Sequence, residues 1–234
     1  MPLRRGPILP YSVVAGATPW ARRWVVASAK MTGSVFAPEP PKVYETFRDI
    51  LDEHPSFATV VVYTPIGYAR NQVTGLRQCD VDAKVLLGRR SMTVHRVPTR
   101  STLVDGQDPK PDHLDAVTIG KLPAMTDVAS EMSPYRQRVV FEGHPELSFF
   151  GLNGDAPLLE SKVKAIGRDE RREVLFAKVP GIEKVTESDV APTKHLLDAA
   201  ALLFSARRVF LHAAKRVPGE AEWDEEGLRM EIVF

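Results

Sequence analysis

Short apolar runs near the amino terminus predict an antiparallel β-meander. Small and β-branched residues fill positions 12–17, and a second apolar run spans 24–31. The intervening segment 18–23 contains a proline and is expected to break the first strand. A turn signal at 32–34 precedes a third strand that begins at 35–36.

A helix and a central strand are predicted next. Apolar residues recur at helical spacing from Val43 to Leu51, His54 continues the same face, and Pro55 ends this predicted helix. The nearly continuous apolar run 57–63 is typical of a strand that is covered on both faces of a sheet. We therefore expect this strand at the centre of the fold.

The second half of the chain has mostly helical patterns. Helices are predicted at 76–88, 145–152, 161–178 and 193–215, and a strand at 138–142. We expect a long loop at 89–112, a helix broken by proline at 113–135, and an edge strand or packed tail at 230–234. Together these elements predict an α/β protein with a mixed sheet, organised as one domain over 1–234.

Composition excludes several classes of protein. Lys and Arg number 31 and Asp and Glu 30, so the net charge is +1 and nucleic-acid binding requires a local basic patch. The 44% hydrophobic and 26% charged residues exclude a disordered chain or a coiled coil. The single cysteine, Cys79, excludes a disulfide framework and a cysteine-based zinc site, and it is typical of a reducing compartment.

Neither targeting nor membrane insertion is predicted. Pro7 and Pro10 interrupt the basic start, which makes a poor signal peptide. No apolar run reaches the roughly 18 residues that a membrane helix needs. We therefore expect a cytoplasmic protein without membrane association, and the pattern predicts no particular oligomeric state.

Glu142, His144 and Glu146 form the first candidate site. They lie where a predicted strand meets the amino terminus of a helix, and strand ends are where α/β sheets place ligands. Glu142 ends an apolar strand, which favours a partly buried carboxylate with a metal-binding or catalytic role. The alternative is a helix-capping cluster in which Glu146 interacts with the helix dipole.

Asp198 is the second candidate. It interrupts an otherwise apolar helix, where a carboxylate is costly unless a cation or a metal partners it. His195 precedes it by three positions and shares its face, although a histidine near a helix start is more often structural.

A basic stretch is the third candidate. Five cations in eleven residues could contact phosphates, but acidic residues are interleaved, and a solvated helix face is the alternative. The cations are Lys162, Lys164, Arg168, Arg171 and Arg172.

Short motifs spread along the chain match the pattern of one known family. The strongest is Phe141-Glu142-Gly143-His144-Pro145-Glu146, and others are Tyr63-Thr64-Pro65-Ile66-Gly67, Cys79-Asp80, Leu197-Asp198-Ala199 and Gly227-Leu228-Arg229-Met230. Through the order and spacing of these motifs, the chain resembles the domain-of-unknown-function family 429, described as predicted RNase H-like nucleases.

The resemblance implies an RNase H-like fold: a mixed sheet flanked by helices on both faces. In that superfamily, carboxylates from the first strand, a central strand and a late helix hold one or two divalent ions, which activate water for phosphodiester hydrolysis. It thus implies Glu142 and Asp198 as metal ligands, with Mg²⁺ or Mn²⁺ bound if the site is active and no cofactor otherwise.

The sequence departs from that pattern at the expected metal ligands. Thr18 stands where the first-strand aspartate is expected, and Tyr63-Thr64 where the central strand should carry an acid. Lys194 and His195 occupy positions where the family often has acids. Glu142 and Asp198 remain, and two carboxylates cannot neutralise two divalent ions.

Two functional hypotheses of different class fit these observations. The first is a metal-dependent nuclease with a degenerate, weak or inactive site. Its catalytic residues would be Glu142, Asp198, Glu146 and His144, and its nucleic-acid-binding residues Lys162, Arg168 and Arg171. The second, motivated by the lost acids and by Arg22 and Arg23, is a non-catalytic binding protein for nucleic acid, a nucleotide or a protein.

Overall fold

The computed structural model describes residues 10–68, 77–100, 103 and 114–234. Its strands are β1 (Ser12–Trp20), β2 (Arg23–Thr32), β3 (Val35–Pro38), β4 (Lys42–Tyr44), β5 (Phe57–Val62), β6 (Val140–Glu142), β7 (Arg216–Trp223) and β8 (Arg229–Val233). Its α-helices are α1 (Phe47–Leu51), α2 (Gln78–Leu87), α3 (Ala116–Glu131), α4 (Pro145–Leu152), α5 (Ala165–Lys178), α6 (Glu183–Thr186) and α7 (Thr193–Phe210). Short 3₁₀ segments lie at Gly88–Thr93 and Arg136–Arg138.

A mixed sheet lies at the centre of the fold. Its strand order is β3-β2-β1-β5-β6, and β4 also pairs with β2. β1 is antiparallel to β2 and parallel to β5, and β5 is parallel to β6. β7 and β8 form a separate antiparallel pair. This arrangement confirms the predicted α/β class with a mixed sheet, and it is compatible with an RNase H-like fold.

Helices cover both faces of the sheet, because side chains alternate between the faces along each strand. On one face, Val14 and Val61 pack in a core whose largest contribution is the apolar helix α7. On the other face, Ala15 packs in a core with Phe47 of α1 and Val128 of α3. The predicted covering on both faces is thereby confirmed.

The first predicted strand is longer than the sequence pattern indicated. We expected 18–23 to break it, but β1 continues to Trp20, and Pro19 pairs with Trp24 of β2. Pro19 lies beyond Ala17, the last residue of β1 that pairs with β5. Its missing N–H therefore removes no hydrogen bond from the parallel ladder. Only a tight turn at Ala21 and Arg22, both with positive φ, separates the two strands.

The predicted helix from Val43 to His54 is wrong in its first turns. Val43 pairs with Val25 of β2 as part of β4, so sheet pairing outweighs the helical spacing there. The helix starts after Thr46, whose side chain accepts from the Asp49 N–H while the Asp49 carboxylate accepts from the Thr46 N–H. This capping box fixes the start of α1 and leaves a helix of five residues.

Three further elements differ from their predictions. The helix expected to be broken by Pro123 is continuous as α3, which begins with Asp115 as its cap. The predicted loop 89–112 begins with a 3₁₀ turn, and its residues 101–102 and 104–112 lie outside the described part of the chain. The last helix ends at Phe210, and the residues after it form the unpredicted strand β7, which pairs with the carboxyl-terminal strand β8.

The described residues contain no helix that is both long enough and apolar enough to cross a membrane.

The contact between β1 and α7 fixes the centre of the fold. A Cβ atom at Gly16 would overlap backbone atoms of Ala199 and Leu203, so only glycine lets the helix lie this close to the strand. We expect Gly16→Ala to lower the free energy of unfolding in urea by about 3 kcal/mol, because backbone atoms cannot yield as a side chain would.

Gly120→Ala is the matched control, since Gly120 lies in α3 with nothing near the position of an added Cβ. It should raise stability by roughly 0.5–1 kcal/mol. Equal unfolding midpoints for Gly16→Ala and the wild type would contradict the close packing.

Candidate functional site

The carboxyl ends of three strands meet at one edge of the sheet. β1, β5 and β6 are mutually parallel, so Thr18, Tyr63 and Glu142 lie near this edge. Thr18 is two residues beyond Gly16 and therefore on the face that α7 covers. Thr18 and Glu142 are buried, and so is Asp198 on α7. This edge is where an RNase H-like protein would gather its carboxylates.

Glu142 is held by Arg77. The Arg77 guanidinium donates from Nη1 to Glu142 Oε2 at 2.8 Å and from Nη2 to Oε1 at 2.5 Å. The same guanidinium pairs with Asp80, and the backbone N–H of Ile66 donates to Glu142 Oε2 at 3.0 Å. Both oxygens of Glu142 are therefore occupied by donors from this chain.

Asp198 is held by Lys162 in the same way. Lys162 Nζ lies 2.7 Å from Asp198 Oδ1 and 2.6 Å from Oδ2. Burial works to lower the pKa of Lys162, but Asp198, together with Tyr63 and Glu146, keeps this pKa above its usual value. Burial also raises the pKa of Asp198 and of Glu142, and the cation next to each opposes that shift.

Glu146 completes a third ion pair. Arg171 Nη2 donates to both of its oxygens, at 2.8 and 2.7 Å, and Arg90 Nη2 lies 3.5 Å away. Burial works to raise the pKa of Glu146, but Arg171, Lys162 and Arg90 together lower it. Arg171 is itself fully buried and also donates to the carbonyl groups of Glu160 and Gly167.

Tyr63 lies among these pairs and brings a second lysine to the site. Lys121 Nζ of α3 donates to the Tyr63 hydroxyl at 2.8 Å, and the His144 ring contacts the Tyr63 ring edge-on at a centroid distance of 5.1 Å. Burial raises the pKa of Tyr63, with Lys162 opposing the shift. Burial lowers the pKa of Lys121 to about 8, and Asp198 and Asp115 oppose that shift.

His144 is a neutral, buried imidazole. Its Nε2 lies 3.1 Å from the carbonyl oxygen of Thr93, which can only accept, so Nε2 carries the proton and Nδ1 is an acceptor. Nδ1 has no hydrogen-bond partner among the described residues. Burial lowers the pKa of His144 to about 4.

An aromatic and basic surface borders the site. The ring of Trp20, at the end of β1, lies beside the His195 ring at a centroid distance of 6.4 Å. The Arg23 guanidinium lies 4.7 Å from the Trp20 ring centre. Burial lowers the pKa of His195 to about 4, and Lys194, Lys162 and Lys121 add to the shift. Positive charge is therefore concentrated beside the site.

The arrangement does not fit a divalent metal ion. Within the described ranges, no group of three or more His, Cys, Asp and Glu side chains is placed to hold one. Glu142 and Asp198 would have to release Arg77 and Lys162 before they could bind a metal, and lysine and arginine donate where a metal requires acceptors. The metal-ligand roles of Glu142 and Asp198 remain predictions.

The predicted residues fall into two groups. Asp198, Glu146, His144 and Lys162 lie around Tyr63, whereas Glu142 belongs to the cluster of Arg77 and Asp80. Arg168 is half-buried and donates to the carbonyl groups of Lys162 and Val163, and Arg171 is inside the core.

Sequence reasoning missed Arg77, Lys121 and the central place of Tyr63. Lys121 carried a usable signal, since it is a lone charge between apolar residues of a helix. The sequence contains no comparable signal for Arg77, because its partner Glu142 is 65 positions away.

Fold and site together define a mixed α/β protein with a sheet edge at which fixed cations neutralise buried carboxylates. The chain belongs to the family described as "Protein of unknown function (DUF429)", whose model matches residues 19–223. No curated protein and no solved structure matches the chain.

Arg77→Met should destabilise the protein by about 3–5 kcal/mol, because it leaves Glu142 and Asp80 buried without a cation. Arg48→Met is the control: Arg48 pairs with Glu131 but its side chain is 67% exposed, so a loss under about 1 kcal/mol is expected. Urea unfolding of both variants measures the difference. Similar losses for the two would show that the Arg77 cluster is no more than a surface pair.

The buried histidine predicts a pH dependence. Unfolded His144 takes up a proton near pH 6.5, whereas folded His144 does so only near its lowered pKa of about 4. The unfolded state thus binds more protons between these values, and stability falls as pH drops from 6.5 to 4. His144→Gln should remove about 3 kcal/mol of this dependence, measured by urea unfolding across the range.

His212→Asn is the matched control for that series. His212 is exposed and has a φ of 55°, which asparagine also tolerates. Its pH profile should follow that of the wild type. A His144→Gln profile as steep as the wild type would contradict a buried neutral imidazole.

Proposed function

We propose that this protein binds single-stranded nucleic acid at the carboxyl edge of its sheet without metal-dependent cleavage. The observation that carries the proposal is the pairing of Lys162 with both oxygens of Asp198. In a metal-dependent nuclease of the RNase H-like kind, a carboxylate such as Asp198 would hold a metal ion, whereas here it holds the ammonium group of Lys162. The chain therefore supplies its own positive charge at the position where phosphate would approach.

The state of the other carboxylates supports the same function. Arg77 neutralises Glu142, and Arg171 neutralises Glu146. A phosphate backbone is repelled by unpaired carboxylates and attracted by lysine and arginine. With each acid already paired, Lys121 and the cations on the surface give this edge a positive character.

The border of the site suits single strands. Trp20 is half-buried, with Arg23 and His195 against its ring, which places an aromatic surface beside cations. Proteins that bind single strands combine aromatic side chains, on which bases stack, with a positive groove that follows the backbone. We assign the stacking surface to Trp20 and the phosphate contacts to Arg23 and Lys194.

Three predicted nucleic-acid contacts take different roles in this proposal. Lys162 faces the ligand from its pair with Asp198, with 22% of its side chain exposed. Arg168 shapes the loop around Lys162 through that loop's carbonyl groups. Arg171 is buried on Glu146 and positions the start of α4 relative to α5, and it does not touch the ligand.

The test is fluorescence anisotropy with labelled single-stranded DNA and RNA. Arg23→Glu/Lys194→Glu should weaken binding about tenfold or more and flatten its salt dependence, because two phosphate contacts become repulsive. Lys178→Glu/Lys184→Glu changes the net charge equally at exposed positions on α5 and α6, and it should bind like the wild type.

Two results would contradict the proposal. The first is an equal loss of affinity in both double variants, which would indicate a general charge effect rather than a site. The second is cleavage of the oligonucleotides in the presence of Mn²⁺ that Glu142→Gln abolishes, which would support the nuclease hypothesis.

A further inference from the structure

A narrow cleft opens beside Tyr63 on the α3 side of the sheet edge. Its walls are formed by the end of β5, the segment 93–97, α3 and the start of the β6–α4 loop, together with Arg77 and Asp80 at the start of α2, Glu142 of β6 and Ile232 of β8. Most of the surface that these residues expose in the cleft is apolar, with contributions from Val94, Val97 and Met125. The polar side chains among the lining residues fix what the cleft can bind.

The lining carries several charged groups: Glu142 and Asp80 are both paired with Arg77, and Lys121 is the cation that lines the cleft from α3. Its Nζ has three protons and donates one to the Tyr63 hydroxyl, and within the described part of the chain no carboxylate forms an ion pair with it. A buried ammonium without a counterion is costly, and its lowered pKa reflects that cost. At neutral pH Lys121 is still mostly protonated, so an anion in the cleft would recover this energy.

Thr64 supplies a second unsatisfied group. Its hydroxyl is buried, with the side chain 3% exposed, and Oγ1 has no hydrogen-bond partner among the described residues. Buried hydroxyl groups almost always have a partner. Thr64 and Lys121 line the same cleft, so a single bound group could accept from both.

The size of the cleft limits the ligand. Its volume is about 50 Å³, which is room for a few water molecules. A whole nucleotide does not fit, whereas one phosphate group does. Arg96 lines the cleft as well and is exposed, so it can approach an anion from the solvent side.

We propose that this cleft binds the phosphate of a phosphomonoester, with Lys121 and Thr64 as its ligands and Arg96 at its entrance. The three donors come from α3, the end of β5 and the segment 93–97, so they approach from different directions. A tetrahedral anion accepts from several directions at once, whereas a carboxylate accepts in one plane. That the phosphate is the end of a nucleic-acid strand rests on the proposed function; the phosphate site itself does not.

The experiment compares one oligonucleotide in three forms: with a 5′-phosphate, with a 3′-phosphate and with hydroxyl groups at both ends. We expect at least one phosphorylated form to bind the full-length protein about tenfold more tightly than the hydroxyl form, as expected for charge-assisted hydrogen bonds. Inorganic phosphate should compete for this advantage and should raise the melting temperature of the protein, and acetate at equal ionic strength should do neither.

Two variants assign the effect to the cleft. Lys121→Met keeps an apolar stem of similar length and should abolish the advantage of the phosphorylated form. Thr64→Val keeps the shape of the side chain and should reduce the advantage several-fold. Lys178→Met, at an exposed lysine near the end of α5, is the control and should leave the advantage intact.

The outcomes separate this inference from the proposed function. If no oligonucleotide binds but phosphate stabilises the wild type and not Lys121→Met, the phosphate site stands and the nucleic-acid proposal fails. If all three forms bind equally, or if the advantage persists in Lys121→Met, the phosphate site is overturned while strand binding stands. Competition by acetate as strong as that by phosphate would overturn the assignment to phosphate.

Discussion

The ion pair between Lys162 and Asp198 joins the segment before α5 to the helix that covers the centre of the sheet. Asp198 is buried on an apolar helix, and an isolated carboxylate there would be strongly unfavourable. Lys162 satisfies both of its oxygens. The pair holds the loop against α7 and neutralises the buried carboxylate of the site.

Three buried carboxylates at this edge are each paired with a cation of the chain. Arg77 holds Glu142, Lys162 holds Asp198, and Arg171 holds Glu146, each with both carboxylate oxygens engaged. Breaking one such pair leaves an uncompensated buried charge, so the partners constrain one another. A fold that is compatible with metal-dependent chemistry therefore carries, in this chain, a set of internal counterions. Lys121 differs from these three cations because, within the described part of the chain, it donates to the Tyr63 hydroxyl and forms no ion pair with a carboxylate.

Much of the fold could be predicted from the sequence, because periodicity reports which face of an element is buried. The strands β1, β2, β5 and β6 and the helices α4 and α7 follow from it, and so does the covering of both faces. β4 was mistaken for helix since Val43 continues a helical spacing by coincidence, and β7 was missed because Arg216–Trp223 contains few apolar residues. Both β4 and β7 are strands because they pair with another strand, and the local sequence pattern contains no information on such pairing.

Individual residues of the candidate site could be predicted from the sequence, but their ion-pair partners could not. An acid such as Asp198 on an apolar helix signals that a partner exists, yet its sequence does not say whether the partner is a lysine or a metal ion. Lys162 is predicted as a phosphate contact within a basic stretch, and the structure shows in addition that its side chain pairs with a carboxylate 36 positions away. Charge pairing across such distances depends on the fold, which is why the chemistry of the site required the structure.

The most direct test of this account is thermal unfolding in rising Mn²⁺, with the wild type beside Glu142→Gln. If Lys162 and Arg77 take the place of a metal, the melting temperature of the wild type stays constant up to millimolar Mn²⁺. A rise in melting temperature that is lost in Glu142→Gln would contradict the account, because it would show that the carboxylates release their cations and bind the metal.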